Sequence, residues 1–330
     1  MNFPTLGARA LWYVAPREAL IQPAPLGDLA IGHCRVRTLY SAISRGTESL
    51  VYQGQIPKSE YQRMASPLML GQFPYPVAFG YCNVGQVIQG PDDWLGKIVF
   101  SLAPHQTVFD AAPSMLTQLP KGLEPRRAVL AANMETALNA VWMGKPGPAD
   151  RIAIVGAGVV GLLVAHLCRH LPASQLVVID PAPERHETCQ RLGLPCLTEP
   201  DEHNNFDLVF HASGHPSGLQ AALAMAGNEA TVVELSWYGD RAVTVELGAG
   251  FHSQQLRLQS CQVGHVEPSH SPRWSYQRRL KAALELLLDD RVEMLLEPDI
   301  AFDVLPDHLE QIFQQRPARL CQVIAYSQGD

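Results

Sequence analysis

Between residues 10 and 120, short β-favouring runs at 34–40, 82–88 and 97–100 are separated by frequent Gly and Pro. Those residues supply turns and interrupt regular hydrogen bonding, so the stretch predicts an irregular, mostly β domain. At 125–142 the pattern changes to small and apolar residues at helical spacing, and a Gly-Lys-Pro-Gly-Pro run stops the helix. Beyond it, predominantly apolar runs at 152–155, 176–179, 208–210 and 231–235 alternate with helical stretches at 162–171 and 183–192. A strand without a polar face must be covered on both sides. The alternation therefore predicts a doubly wound α/β domain with a parallel sheet, over 125–265.

A polar, Pro-containing stretch at 267–272 reads as a linker, followed by an amphipathic helix at 276–288 and a strand at 320–326. One helix and one strand cannot close a third core. The predicted organisation is thus two domains, 1–124 with 266–330, and 125–265. A length of 330 residues agrees, since single cores rarely grow much beyond about 250–300 residues.

Charge narrows the partners. The net charge of −7 offers no basic face to nucleic-acid phosphates, and the Arg278-Arg279 pair reads as the solvated face of a helix. A small-molecule substrate is expected instead. Seven cysteines without a C-x-x-C pair fit a reducing compartment. No apolar run approaches the ~20 residues that span a bilayer, and residues 1–14 lack the order of a secretion signal. The expectation is a cytoplasmic protein without membrane contact.

The chemistry enters where the first apolar strand of the second domain runs into Gly156-Ala157-Gly158-Val159-Val160-Gly161 and a helical pattern begins at once. In such a fingerprint Gly156 permits the tight turn, Gly158 lets the backbone approach a pyrophosphate, and Gly161 brings helix and strand together. Backbone amides about Val159 and Val160, at the positive end of the helix, meet the phosphate charge. The next strand ends at Asp180, about 20 residues on, where a carboxylate accepts from ribose hydroxyls. Its charge would repel a 2′-phosphate, so NAD is expected over NADP, although Arg185 could still pair with that phosphate. The following strand leads into His211 and Ser213, at the ligand-facing end of the sheet. Ser213 reads either as a cofactor contact or as a helix cap.

A nucleotide domain that starts this late leaves a whole domain ahead of it. That order, with Ser41-Ala42-Ile43-Ser44-Arg45-Gly46-Thr47-Glu48 and Gly80-Tyr81-Cys82-Asn83-Val84-Gly85, resembles the medium-chain dehydrogenase/reductase superfamily over almost the whole chain. The branch it most resembles contains bacteriochlorophyllide a dehydrogenase. The resemblance implies a GroES-like mostly β domain, a central Rossmann domain, and a C-terminal return to the first.

It also implies a comparison with the zinc site of many members. If Glu48 matches the acidic residue of the first zinc segment, Thr47 matches the hydroxyl relay and Arg45 falls on the cysteine ligand. Tyr81 stands where a histidine ligand would be, and Glu135 matches a third ligand. A guanidinium cannot ligate zinc, so no metal site is expected. A rebuilt site from Cys82, His105 and Glu135 is the alternative.

The catalytic candidates are Thr47, Tyr81, His105 and Glu135. His105 is either an acid/base or a tether for a turn. Thr47 passes a proton or caps a helix, Tyr81 donates a phenolic proton or walls the pocket, and Glu135 is a base or the partner of Arg45. The expected function is hydride transfer between NAD and an alcohol or ketone, without zinc, in a homodimer paired through an exposed sheet edge. A zinc-free enone or quinone reductase and a non-catalytic dinucleotide-binding protein are the alternatives.

Overall fold

The computed structural model describes residues 7–200, 205–315 and 319–327. Of the segment tested for a secretion signal, residues 1–6 lie outside the described residues. The chain forms two compact units, Met1–Ala132 with Leu284–Asp330, and Asn133–Ala283.

The first unit is mostly β, as the Gly and Pro punctuation predicts. Its strands in chain order are Arg9–Ala15 (β1), Glu18–Pro23 (β2), Cys34–Ile43 (β3), Leu70–Gly71 (β4), Val77–Ala78 (β5), Asn83–Gln89 (β6), Ile98–Ser101 (β7), Val108–Ala111 (β8) and Thr117–Gln118 (β9). A four-stranded sheet runs β2-β1-β5-β4. The helix Arg45–Gln53 (α1) follows β3. The unit's core gathers Cys34, Val36, Val87, Val99, Phe109 and Leu116.

The segment read as one helix over 125–142 is two, Pro125–Ala128 (α2) and Ala131–Gly144 (α3). Between them the backbone tightens, the Leu130 amide donating to the Arg127 carbonyl three residues back. The Arg127 guanidinium is tied to Glu293, which anchors the short first helix in place.

Among its described residues the second unit holds six strands: Arg151–Val155 (β10), Gln175–Ile179 (β11), Cys196–Leu197 (β12), Phe206–His211 (β13), Ala226–Glu234 (β14) and Arg257–Ser260 (β15). Their order is β12-β11-β10-β13-β14-β15, all parallel. Ile152, Ala153 and Ile154 are fully buried, because a central parallel strand is covered on both faces. Helices Val159–Cys168 (α4), Glu184–Arg191 (α5) and Pro216–Met225 (α6) alternate with the strands. The order reverses between β10 and β13, and ligands of open α/β sheets bind outside the strand ends at such a switch.

The stretch 267–272 is no solvated linker: Glu267 is buried and its amide donates to Asn139 Oδ1. The passage between units falls instead within the helix Tyr276–Leu286 (α8), which comes after the short helix Gly250–Ser253 (α7). The last segments complete the first unit. Leu296–Ala301 (β16) and Cys321–Ala325 (β17), with helix Leu305–Gln314 (α9) between them, extend the seven-stranded sheet β16-β17-β3-β6-β7-β9, which β8 joins through β3. Strand β17 pairs antiparallel with β3, Ile324 opposite Ser41. Among the described residues, no helix is long and apolar enough to cross a membrane.

Candidate functional site

In the second unit, the three fingerprint glycines serve three different steric needs. Gly156 has φ of 106°, and a Cβ there would lie 2.7 Å from the Ser213 backbone. A Cβ on Gly161 would come within 2.0 Å of the Gly156 carbonyl, so helix α4 can approach β10 only without a side chain. Around Gly158 nothing lies within 4 Å of such a Cβ, which leaves room for a ligand backbone-close. Gly158 is also the N-cap of α4, with no side-chain cap, so the helix start presents main-chain amides of Val159, Val160 and Gly161.

Asp180 ends β11 beside this turn. Its Oδ2 accepts from the Ala157 amide at 2.8 Å and its Oδ1 from the Ala182 amide at 2.9 Å. A carboxylate has about four acceptor positions, so two remain for hydroxyl donors. Arg185 lies in the first turn of α5 and is half-buried.

At the end of β13, His211 is fully buried and hydrogen-bonded on both ring nitrogens. Nδ1 meets Glu234 Oε2 at 2.8 Å and Nε2 meets Ser213 Oγ at 2.6 Å. Ser236 supports the arrangement, its amide donating to Glu234 Oε1 and its hydroxyl accepting from the Gly214 amide. Tyr238 donates to Glu234 as well. Sequence reasoning placed His211 and Ser213 at this edge but missed Glu234 and Ser236. The same rule, applied to the end of the neighbouring strand β14, would have found them.

Glu135, on α3, takes Arg279 as its ion-pair partner, where the sequence reading expected Arg45. It is buried against Arg279 at 3.0 Å, and Arg279 is itself 2% exposed. Burial pushes the Glu135 carboxyl up while the guanidinium opposes it. Arg279 also donates to Asn139 and to the carbonyls of His265 and Val263. The reading of Arg279 as a solvated helix charge is therefore corrected: five donors in a fixed fork suit a buried carboxylate and carbonyls.

In the first unit, Arg45 opens α1 and donates to the carbonyls of Ile312 and Phe313 near the end of α9. Thr47 is half-buried in the same helix, and the half-buried Tyr81 lies beside it. Burial pushes the Tyr81 phenol up, with Cys82 and Glu48 adding to it, while the hydroxyls of Ser44 and Thr47 pull the other way. His105 is fully buried, its Nε2 at 2.8 Å from Glu48 and its Nδ1 at 2.8 Å from Ser41, which continues to Tyr326. Cys82 is buried too, and burial pushes its thiol well up.

No protein-family profile matches the chain. A D-guloside 3-dehydrogenase of Escherichia coli (strain K12) is 22% identical over 335 residues, spanning 92% of this chain and 95% of that protein. A 2-desacetyl-2-hydroxyethyl bacteriochlorophyllide A dehydrogenase of Cereibacter sphaeroides is 25% identical over 269 residues, 74% of this chain and 78% of that protein. Among solved structures, 2R,3R-butanediol dehydrogenase from Bacillus subtilis matches with a TM-score of 0.76 at 15% identity, covering 96% of this chain and 99% of that one. The fold is a GroES-like mostly β unit and a Rossmann unit.

Proposed function

We propose that this chain is a member of the medium-chain dehydrogenase/reductase superfamily, an NAD-dependent dehydrogenase that moves a hydride between the cofactor and a small alcohol or ketone. The observation that carries this reading is the turn at 156–161, open at Gly158 and closed by steric necessity at Gly156 and Gly161. A dinucleotide supplies the hydride acceptor; the chain's part is to hold it and to manage the proton. The α4 amides cradle the pyrophosphate, Ser213 lies at the cofactor edge, and the Asp180 carboxylate receives ribose hydroxyls and disfavours a 2′-phosphate despite Arg185.

In the first unit Thr47 and Tyr81 are the groups assigned to the substrate oxygen, as hydroxyl donors that stay protonated. His105 and Glu135 take supporting roles in this reading, because each is buried and held by a charged partner. The donor set does not fit a catalytic zinc ion. Arg45 brings a cation to one ligand position, Glu135 is already neutralised by Arg279, and His105 has no ring nitrogen to spare. The wholly exposed edge strand β15 supports pairing into a homodimer, and the cysteines, none in a disulfide among the described residues, support a cytoplasmic location.

Calorimetric titration with NADH and NADPH tests the reading. NADH should saturate the protein at least about tenfold more tightly than NADPH, a difference of about 1.4 kcal/mol, and D180N should narrow the gap. Uptake of neither nucleotide at about millimolar concentration, where binding is worth only some 4 kcal/mol, would overturn it.

A further inference from the structure

Between α1 and β5 the first unit carries a pocket of about 530 Å³, a volume in the range of small-ligand sites. Its lining includes Lys58, Tyr61, Gln62, Met69, Gln72 and Phe73. Short pieces of regular backbone hold these residues: the helical turn Lys58–Glu60, and β4 paired antiparallel with β5. Gly71 makes that pairing possible, since a Cβ there would lie 2.3 Å from the Pro76 carbonyl oxygen. The Tyr75 hydroxyl donates to the Val51 carbonyl at 2.7 Å and so fastens the segment to α1.

The lining divides into apolar surfaces and hydrogen-bonding groups. Tyr61 and Phe73 stand with ring centroids 5.8 Å apart and planes tilted by 44°, which makes a corner of two aromatic faces, and Met69 adds a thioether. Gln62 and Gln72 are exposed, and each amide offers N–H donors and a carbonyl acceptor, while Lys58 adds an ammonium. Among the described residues no carboxylate lines the pocket, so it does not suit a metal cation. A flat hydrocarbon would leave the amides unused, and an open-chain polyol would leave the aromatic corner unused. A pyranose ring meets both demands, because its C–H bonds form an apolar face and its hydroxyls, each a donor and an acceptor, surround the edge.

The pocket is joined to the groups assigned to the substrate oxygen by a run of packed rings within the same unit. Phe73 contacts the buried Phe79 at 5.4 Å, and Phe79 meets Tyr81 edge-on at 5.8 Å. We propose that this pocket is a subsite for a sugar ring, and that the substrate is a glycoside whose reacting hydroxyl lies at Thr47 and Tyr81 while a neighbouring ring lies against Tyr61 and Phe73; the substrate assignment rests on the dehydrogenase reading above. The subsite takes no part in bond breaking. Contacts to the remote ring fix the reacting one, so a substrate without that ring loses kcat as well as affinity.

Ligand-observed NMR and calorimetry test the subsite with methyl and phenyl glucopyranosides, maltose and cellobiose, and with cyclohexanol as a ring that lacks the surrounding hydroxyls. The parent should bind the glycosides with a Kd of about 1 mM or below, and cyclohexanol at least about tenfold more weakly. Y61A and Q72A should each weaken glycoside binding about tenfold, whereas Y61F, which keeps the aromatic face, should stay within about threefold of the parent. R63A serves as the control, since its guanidinium pairs with Glu60 and does not line the pocket; it should bind as the parent does. In turnover with NAD⁺, the disaccharides should exceed methyl glucopyranoside about tenfold or more in kcat/KM, and Y61A should erase that advantage. No glycoside bound by the parent at about 10 mM, or equal binding by parent, Y61A and Q72A, would overturn the proposal. Failure of the dehydrogenase reading looks different: glycosides would bind and depend on Tyr61 and Gln72, yet neither NADH nor NADPH would be taken up.

Discussion

Glu48 Oε2 and His105 Nε2 stand 2.8 Å apart, and neither side chain exposes any surface. Glu48 accepts in addition from the Tyr13 hydroxyl and the Ser44 amide, and His105 continues through Ser41 to Tyr326. The chain of contacts ties β1, α1, β3 and the end of β17 through one buried carboxylate. Removing it strands three donors. E48A should cost about 3–5 kcal/mol in urea unfolding, as expected when one member of a buried charged network is lost. H105Q should lose stability yet keep turnover within about tenfold, because a ring without exposure does not meet substrate as an acid/base.

The glycine turn separates folding from binding at two positions. Gly158 has φ of −78°, which alanine accepts, and an empty surround. G158A should unfold within about 1 kcal/mol of the parent, since helix N-caps tolerate such changes. Its NADH affinity should nevertheless fall by about tenfold or more, because the new methyl occupies the pyrophosphate's approach. G161A should fail in both respects, since its Cβ would overlap the Gly156 carbonyl. Equal affinity in G158A and parent would show that no phosphate lies there.

What the sequence made legible follows from burial and chain distance. Strands β10, β11 and β13 announce themselves because a strand covered on both faces is apolar throughout, and the glycine turn is local in sequence. Strand β15, Arg-Leu-Gln-Ser, exposes every residue at the sheet edge and so leaves no apolar signature. Arg279 was read as surface because helix α8 is amphipathic, and its carboxylate partner lies 144 residues earlier. Glu234 is 23 residues from His211 in sequence yet directly opposite it in the sheet. Register between parallel strands is a tertiary fact, and no local pattern carries it.

The Glu135–Arg279 pair should show strong non-additivity. R279M leaves a buried carboxylate without its counter-charge and should cost about 3–5 kcal/mol in urea unfolding. The double variant E135L/R279M should be more stable than R279M alone, since both charges have then left the interior. The sign of the pH effect follows from the direction of the Glu135 shift. Burial already raises this carboxyl, and without the guanidinium it rises further, so R279M should recover stability as pH falls and lose it as pH rises. A double variant worse than R279M would show that the fork of carbonyl contacts, rather than the charge pair, dominates.

Glu267 shifts in the other direction. Burial opposes its charge, but hydrogen bonds from the Ser269 hydroxyl, His270 and the Ser269 amide outweigh it and hold the carboxyl at about 2. An unfolded glutamate titrates near about 4.3, so the folded group is the stronger acid. Its contribution is fully present above that unfolded value and disappears as pH falls towards 2. The Glu267 main chain is fastened to α3 by its amide, which donates to Asn139, while the carboxylate holds His270, whose ring stacks on Trp142 of α3 at 4.2 Å. E267Q should therefore be less stable than the parent at about pH 7, by up to about 3 kcal/mol, and the difference should shrink between about pH 4.5 and pH 2.5. Urea unfolding of both proteins at constant ionic strength measures it. A penalty that stays constant with pH would assign the effect to shape and hydrogen-bond count, because only a charge that titrates within this window can make the two stability curves converge.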